Sequence, residues 1–345
     1  MRACLSELRE PGGRQGMLKA SVVVIAKNEE KTIARCIESL LQQTYPCEII
    51  VVNGHSTDRT REIVSQYPVK LVEAPPRDTY GVSRNVGVQH ASGDVILFQD
   101  ADDFVDPTWC ESLIKHFRTH PKVGIVIARR VTPAIYRSNS WFAKLYRKRR
   151  IFNTPSQNTV REGYWHEVTT KGSAFLKRAI LEAGGFDEDM FFGTEDKELA
   201  YRISRRGYKI LYDPTVTVYC KPFSGVKEYL KDKFYRAGMS HGHVRRKHGV
   251  YRPPLRGVGG LGLILLGAFS WRWNPALAFI LLLSSLAILW ELIAEPLGFD
   301  IKLRKIPLIP PYLLTRFLGS ILEFIGFLTT YLIPARYLRR VRDAL

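Results

Sequence analysis

Ala20-Ser21-Val22-Val23-Val24-Ile25-Ala26, followed at once by Lys27-Asn28-Glu29-Glu30, is the stretch whose reading decides the fold. A short, continuous apolar run of this kind belongs to a strand covered on both faces, as in a parallel sheet. The polar turn behind it offers Asn28 as the N-cap of a helix, whose apolar face carries Ile33, Ile37, Leu40 and Leu41. The pattern then repeats. A strand at 48–52 leads into the loop Asn53-Gly54-His55-Ser56-Thr57-Asp58, and a second helix starts near Asp58. A third strand lies near 69–73, a helix spans about 81–90, and a fourth strand covers 94–98. Strands separated by helical stretches of this length imply βαβ crossovers and a largely parallel sheet flanked by helices. Ligands of such sheets bind beyond the carboxyl ends of the strands, where the polar loops of this chain fall.

Composition bounds the partners. The 345 residues carry a formal net charge of +18, with 46% hydrophobic and 24% charged residues. Eight Lys or Arg and no acid lie in 129–150, and nine against Glu228 and Asp232 in 221–252. Aromatics are interleaved in both stretches (Tyr136, Trp141, Phe142 and Tyr146; Phe223, Tyr229, Phe234 and Tyr235). Basic and aromatic residues mixed in this way suit an anionic membrane surface. No nucleic-acid recognition module is visible, so the charge is not assigned to nucleic acid. The five cysteines are scattered without a CxxC pair, which fits reduced thiols in a cytosolic compartment.

Four regions are expected. Residues 1–16, polar and rich in Gly and Arg, read as a disordered tail without the features of a signal peptide. Residues 17–220 form the α/β domain, and 221–256 a basic amphipathic segment at the membrane surface. Residues 257–345 form an anchoring region with hydrophobic helices at 257–271, 274–294 and 311–334. A helix needs roughly 20 residues to cross the hydrocarbon core, so the first is short and the other two are long enough. Three spans would put Arg336, Arg339, Arg340 and Arg342 across the membrane from the α/β domain. Two spans with one interfacial helix keep them on its side. Either arrangement, multi-pass or hairpin, implies a cell-membrane protein whose α/β domain faces the cytoplasm.

Four polar constellations follow in order: Lys27-Asn28-Glu29-Glu30; Asn53-Gly54-His55-Ser56-Thr57-Asp58; Gln99-Asp100-Ala101-Asp102-Asp103, preceded by Ser83-Arg84-Asn85; and Gly193-Thr194-Glu195-Asp196 at the head of a helix. Hard oxygen ligands at a strand end can hold Mg2+ or Mn2+ against a diphosphate. Asp100 and Asp102 suit that role, and Asp103 is either a further ligand or a helix cap. A carboxylate such as Asp196 can take a proton from an incoming hydroxyl, while Glu195 and Asp196 also favour a helix N-terminus electrostatically.

Over roughly residues 20–220 these motifs, in this order on these elements, resemble the large inverting GT-A glycosyltransferase family 2, which includes dolichyl-phosphate mannose, cellulose and chitin synthases. The resemblance implies a nucleotide-sugar donor, Mg2+ or Mn2+, and transfer with inversion. It places Asp102 on the metal, Asp100 near the ribose with Ala101 beside it, and Asp196 as general base. Glu195 positions the acceptor or exchanges roles with Asp196. Glu29 matches the acidic residue of the first loop, where Ile25 and Lys27 stand at positions that often hold Pro and Tyr. Asn53 stands where an Asp is common, its amide still able to meet a base edge, and Arg84 faces the nucleotide pocket or makes a structural ion pair. Lys171-Gly172-Ser173-Ala174 and Gly184-Gly185-Phe186-Asp187 resemble the acceptor-side segment, with Gly172 and Ser173 lining the sugar. The family frequently carries a His where this chain has Cys220, a poorer ligand for a hard cation. Either Asp102 and the diphosphate suffice, or His241 or His243 completes the site.

The processive relatives' Gln-x-x-Arg-Trp run is absent, since 201–206 reads Tyr-Arg-Ile-Ser-Arg-Arg. The complete Thr-Glu-Asp run favours a hydroxyl acceptor on a lipid-linked glycan or glycolipid. A polyprenyl phosphate is the alternative, and a non-catalytic nucleotide-binding scaffold the remote one.

Overall fold

The structure, a computed structural model, describes residues 17–76, 79–133, 160–191, 193–221 and 225–250, part of 263–284, and 309–332. The tail at 1–16, most of the basic stretch at 129–150 and the arginines beyond 335 lie outside the described residues.

Two compact units divide the chain. The first draws on Met1–Arg130, Gln157–Glu188 and Glu195–Cys220, and the second on Val131–Ser156, Asp189–Thr194 and Lys221–Leu345. In the first, β1 (Ala20–Ala26), α1 (Ile33–Leu41), β2 (Cys47–Asn53), α2 (Thr60–Val64), β3 (Lys70–Glu73), α3 (Tyr80–His90) and β4 (Val95–Asp100) alternate as expected. Next come β5 (Phe104–Val105), α4 (Trp109–Thr119), β6 (Val123–Val131), β7 (Arg161–Glu162), β8 (Ser173–Leu176), α5 (Lys177–Glu182), α6 (Glu195–Ser204) and β9 (Lys209–Tyr219). The sheet runs β3-β2-β1-β4-β8-β6-β9-β5, with β7 on β9. β1 pairs in parallel with β2 and β4, and β2 with β3. β8 is antiparallel to both β4 and β6. The sheet is therefore mixed, and β4 is the strand at which its direction changes.

The apolar run at β1 is explained by its two covered faces. Val22 and Val24 enter one cluster with Leu97, Trp109 and Leu113, while Val23 enters the other with Ile50, Phe98 and Phe175. Burying each such side chain stabilises by about 1.5–3 kcal/mol. α1 turns Ile33, Cys36, Ile37 and Leu40 inward, whereas Leu41, expected on the same face, is exposed. A second correction concerns Asn28. It does not cap α1, which begins after Thr32. Instead Asn28 takes a left-handed conformation (φ 56°), its Oδ1 accepts from the Thr57 amide at 2.8 Å, and its own N–H donates to Ser56. An asparagine tolerates that conformation, and here it binds the loop after β1 to the loop after β2. α4 is fixed to β9 by His116 Nε2, 2.7 Å from Asp213 Oδ2, with both side chains buried.

In the second unit α7 (Val226–Asp232) continues through a π-helix (Lys233–Met239) into α8 (Ser240–His248), and these turns pack on α9 (Ile309–Leu332). The contact is close because a Cβ on Gly326 would stand 2.2 Å from the Phe234 carbonyl oxygen. The helix expected at 311–334 is present over Ile309–Leu332; it carries Arg316 and Glu323, and Glu323 is paired to Lys233 at 2.8 Å. Among the described residues no helix is long and apolar enough to cross a membrane, so the span expected at 311–334 is not supported. The stretches 257–271 and 274–294 fall largely outside the described residues.

Candidate active site

The carboxyl ends of β1, β2 and β4 form one edge of the first unit. A tight turn follows β4, in which the Asp103 amide donates to the Asp100 carbonyl at 3.1 Å. It gathers Asp100, Asp102 and Asp103 so that carboxylate oxygens from the three lie within 4.8 Å of one another. Asp100 and Asp102 are partly open to solvent, whereas Asp103 is buried. Burial pushes the Asp103 carboxyl up to about 7, against the pull of Lys171. Three clustered hard oxygens fit a divalent cation.

One residue at this edge was not singled out from the sequence. Lys171 Nζ stands 2.8 Å from Asp100 Oδ2, 3.3 Å from Asp103 Oδ2 and 3.4 Å from Asp102 Oδ1. Burial alone would lower its pKa, but Asp100, Asp103 and Asp102 outweigh that and hold it well above the ordinary lysine value. Its position follows from strand register. Phe98 of β4 lies opposite Ser173 of β8 in an antiparallel pair, and continuing that register sets residue 171 opposite residue 100. Between them the Gly172 amide donates to the Phe98 carbonyl at 2.9 Å, and the Gly172 carbonyl accepts from Trp109 Nε1 at 3.2 Å. Gly172 is required here. Its φ is +68°, and a Cβ would stand 2.1 Å from Val218 Cγ2. Gly172 and Ser173 are both buried.

The same loop holds the second half of the site. The Thr170 amide donates to Asp196 Oδ2 at 3.3 Å, and Asp196 Oδ1 accepts from the Lys197 amide at 2.8 Å. Consecutive residues, Thr170 and Lys171, therefore tie Asp196 to the aspartate cluster. Arg84 makes a second tie. Its Nη1 donates to Glu195 Oε1 in a very short contact, and its Nη2 lies 3.4 Å from Asp100 Oδ1. Burial works against its charge, but Glu195 and then Asp100 outweigh that and raise the guanidinium above the ordinary arginine value. Of the two roles open to Arg84, the structure displays the ion pair. Glu195, at the head of α6, is buried against that guanidinium.

The nucleotide-side residues are spread along the two loops. Lys27 is exposed and Ile25 half-buried. Glu29 accepts from Thr32 Oγ1 at 2.7 Å and sends its amide to Thr60 Oγ1. Asn53 is buried, donating from Nδ2 to Glu73 at 2.7 Å and accepting from the Ser56 amide at Oδ1. Ala101 is buried within the turn. Cys220, at the end of β9, is buried beside Asp103, whose carboxyl it helps hold down. His241 stands 3.9 Å from Glu323 in the other unit.

With this arrangement in hand, the chain can be set beside known proteins. The model of the family described as glycosyl transferase family 2 matches residues 21–184. The matched stretch, just under half of the chain, is similar to that family. The chain is 32% identical over 213 residues to the probable glycosyltransferase YdaM of Bacillus subtilis, covering 57% of this chain and 49% of that protein. It is 28% identical over 196 residues to the poly-beta-1,6-N-acetyl-D-glucosamine synthase of Staphylococcus aureus, covering 54% of this chain and 46% of that one. The chain thus spans about half the length of the curated relatives it matches. Among solved structures, the mannosyltransferase PcManGT from Pyrobaculum calidifontis, in complex with GDP-Man and Mn2+, aligns over 92% of this chain and 88% of its own. Its TM-score is 0.55 at 20% identity, a likeness of fold. The mixed sheet of the α/β unit accordingly has the GT-A fold.

Proposed function

We propose that the chain is an inverting, divalent-ion-dependent glycosyltransferase of the cell membrane. It moves a sugar from a nucleotide-diphosphate donor to a hydroxyl of a lipid-linked glycan or glycolipid, with its GT-A domain on the cytoplasmic side. The observation that carries this reading is the loop at 170–171, which joins Asp196 to the aspartate cluster through adjacent residues. A leaving-group site and a proton acceptor held by one backbone segment suit an in-line displacement.

The donor's nucleotide lies along Ile25, Lys27, Glu29, Asn53 and Ala101, with Asp100 toward the ribose. Mg2+ or Mn2+ held by Asp102, with Asp100 and Asp103 beside it, would supply the positive charge that a leaving diphosphate needs. Asp196 accepts the hydroxyl proton as the oxygen forms its bond to the anomeric carbon and the bond to the diphosphate breaks. Attack opposite the leaving group inverts that carbon. Arg84 fixes Glu195 and thereby the head of α6, while Gly172 and Ser173 keep the layer beneath the sugar thin. Membrane attachment is supported by the exposed apolar side chains Leu265, Leu266, Phe269, Trp271, Trp273 and Ile280, since tryptophan favours the bilayer interface.

Asp196→Asn tests the assignment. The amide keeps the size but cannot take the proton, so kcat with a glycolipid acceptor falls about 10²- to 10⁴-fold while donor affinity is unchanged. Near-wild-type turnover would overturn the base assignment and put an ionised lipid phosphate forward as acceptor.

A further inference from the structure

We propose that Lys171 is a built-in counter-ion of the aspartate cluster which a divalent cation must displace, so that the ion and the nucleotide diphosphate are taken up together. This rests on the reading of Asp102 and its neighbours as a cation site.

One ammonium touches all three carboxylates, at 2.8, 3.3 and 3.4 Å. Its side chain is only 21% exposed, so it is largely withdrawn from water and committed to these partners. The backbone that delivers it is fixed by the β4–β8 register, by the Gly172 amide on Phe98 and by Trp109 on the Gly172 carbonyl. The side chain is not fixed in this way, because a four-carbon stem ends in a compact, rotatable charge. A lysine so placed can leave the cluster without disturbing the sheet.

A divalent ion needs the same oxygens, at about 2.0–2.1 Å for Mg2+. An ammonium already bonded to them and an incoming dication would lie within a few ångströms of each other, and like charges at that range repel strongly in a partly dry site. In the nucleotide-free chain the ion can enter only if Lys171 gives up three carboxylates for water. A diphosphate changes that balance, since it offers the displaced ammonium a new anion and the metal further oxygens. Ion binding alone is therefore weak, and binding with the nucleotide is cooperative by linkage. A lysine that merely braced the loop would have no such effect on ion affinity.

Mn2+ binding to the purified full chain, followed by the electron paramagnetic resonance of free Mn2+, tests this with and without UDP or GDP. The wild type should bind Mn2+ at least tenfold more weakly without nucleotide than with it. Lys171→Met should bind nucleotide-free Mn2+ at least tenfold more tightly than the wild type and lose most of the cooperativity. Lys171→Arg, which keeps the charge, should show no tightening. Should the methionine variant fail to fold, Lys171→Gln replaces it, and the wild-type comparison stands by itself: equal Mn2+ affinity with and without nucleotide overturns the proposal. Equal nucleotide-free affinity in wild type and Lys171→Met sinks the Lys171 role while leaving the cation site intact. Absence of Mn2+ binding in every chain, with either nucleotide, overturns both.

Discussion

Replacing Arg84 by Met removes the charge from a buried guanidinium while keeping much of its bulk. The side chains of Arg84 and Glu195 are 5% and 4% exposed, so the substitution strands the Glu195 carboxylate in the interior of the unit. Asp100 loses a partner too, but it retains Lys171 at 2.8 Å and is partly wet. Breaking a buried pair by removing one member costs about 3–5 kcal/mol, because the remaining charge is uncompensated. Glu195→Gln alone leaves the guanidinium with Asp100 and should cost less. In the double variant neither charge is stranded, so its loss should be smaller than the sum of the singles by about 2 kcal/mol or more. Tryptophan-fluorescence melting of the purified full chain reads this directly. A loss of 3–5 kcal/mol corresponds to a fall of about 6–20 °C for a unit of this size, and the double variant should recover part of it. Arg84→Met melting within a degree or two of wild type, or single losses that simply add, would refute the idea that this pair closes the site.

Asp102→Ala should abolish transfer and any Mg2+- or Mn2+-dependent nucleotide binding, checked by calorimetric titration with chelator as control. Asp213 gives a pH dependence. Burial opposes its charge, but His116 and Thr215 hold its carboxyl down at about 2. A carboxyl depressed from the ordinary value stabilises above pH 4 by roughly 2 kcal/mol, and that contribution disappears as pH falls towards 2. Asp213→Asn should therefore melt lower than wild type at pH 7 and converge with it between pH 4 and 2 in a melting series. Gly172→Ala must adopt φ +68° and drive a methyl towards Val218. Left-handed strain of 1–2 kcal/mol and overpacking of 1–3 kcal/mol predict a loss of about 2–5 kcal/mol in the same assay.

The parallel half of the sheet was legible because its strands are buried on both faces, which leaves continuous apolar runs at β1, β2 and β4 with polar loops at one end. The aspartates were legible for the same reason, since they close β4. Asn28 misled because the residue types that cap helices also tolerate left-handed backbone, and only the neighbouring loop decides between the two uses. Lys171 was hidden by topology. Nothing in the local run Lys-Gly-Ser indicates an acid cluster 68 to 71 residues earlier, and the antiparallel register of β8 on β4 is what brings them together. Arg84 and Glu195, 111 residues apart, were each visible as motif members, but their pairing was not. In the second unit the helix at 309–332 was readable from its apolar length. Its ion pair to Lys233 was not, and that pair turns one side of the helix toward protein.

The charges at the site divide unequally, and Asp100 is where they meet. Its Oδ1 faces Arg84 and its Oδ2 faces Lys171, so both oxygens already serve cations of the chain. Asp102 Oδ1 lies 3.4 Å from the same ammonium. Asp100 joins the guanidinium that holds Glu195 to the ammonium that fills the cluster. A change of cation at the aspartates would then alter the partners of Asp100, and through Arg84 the surroundings of Glu195 at the head of α6. The aspartate cluster and the head of α6 are linked by one carboxylate and, independently, by the adjacent residues Thr170 and Lys171.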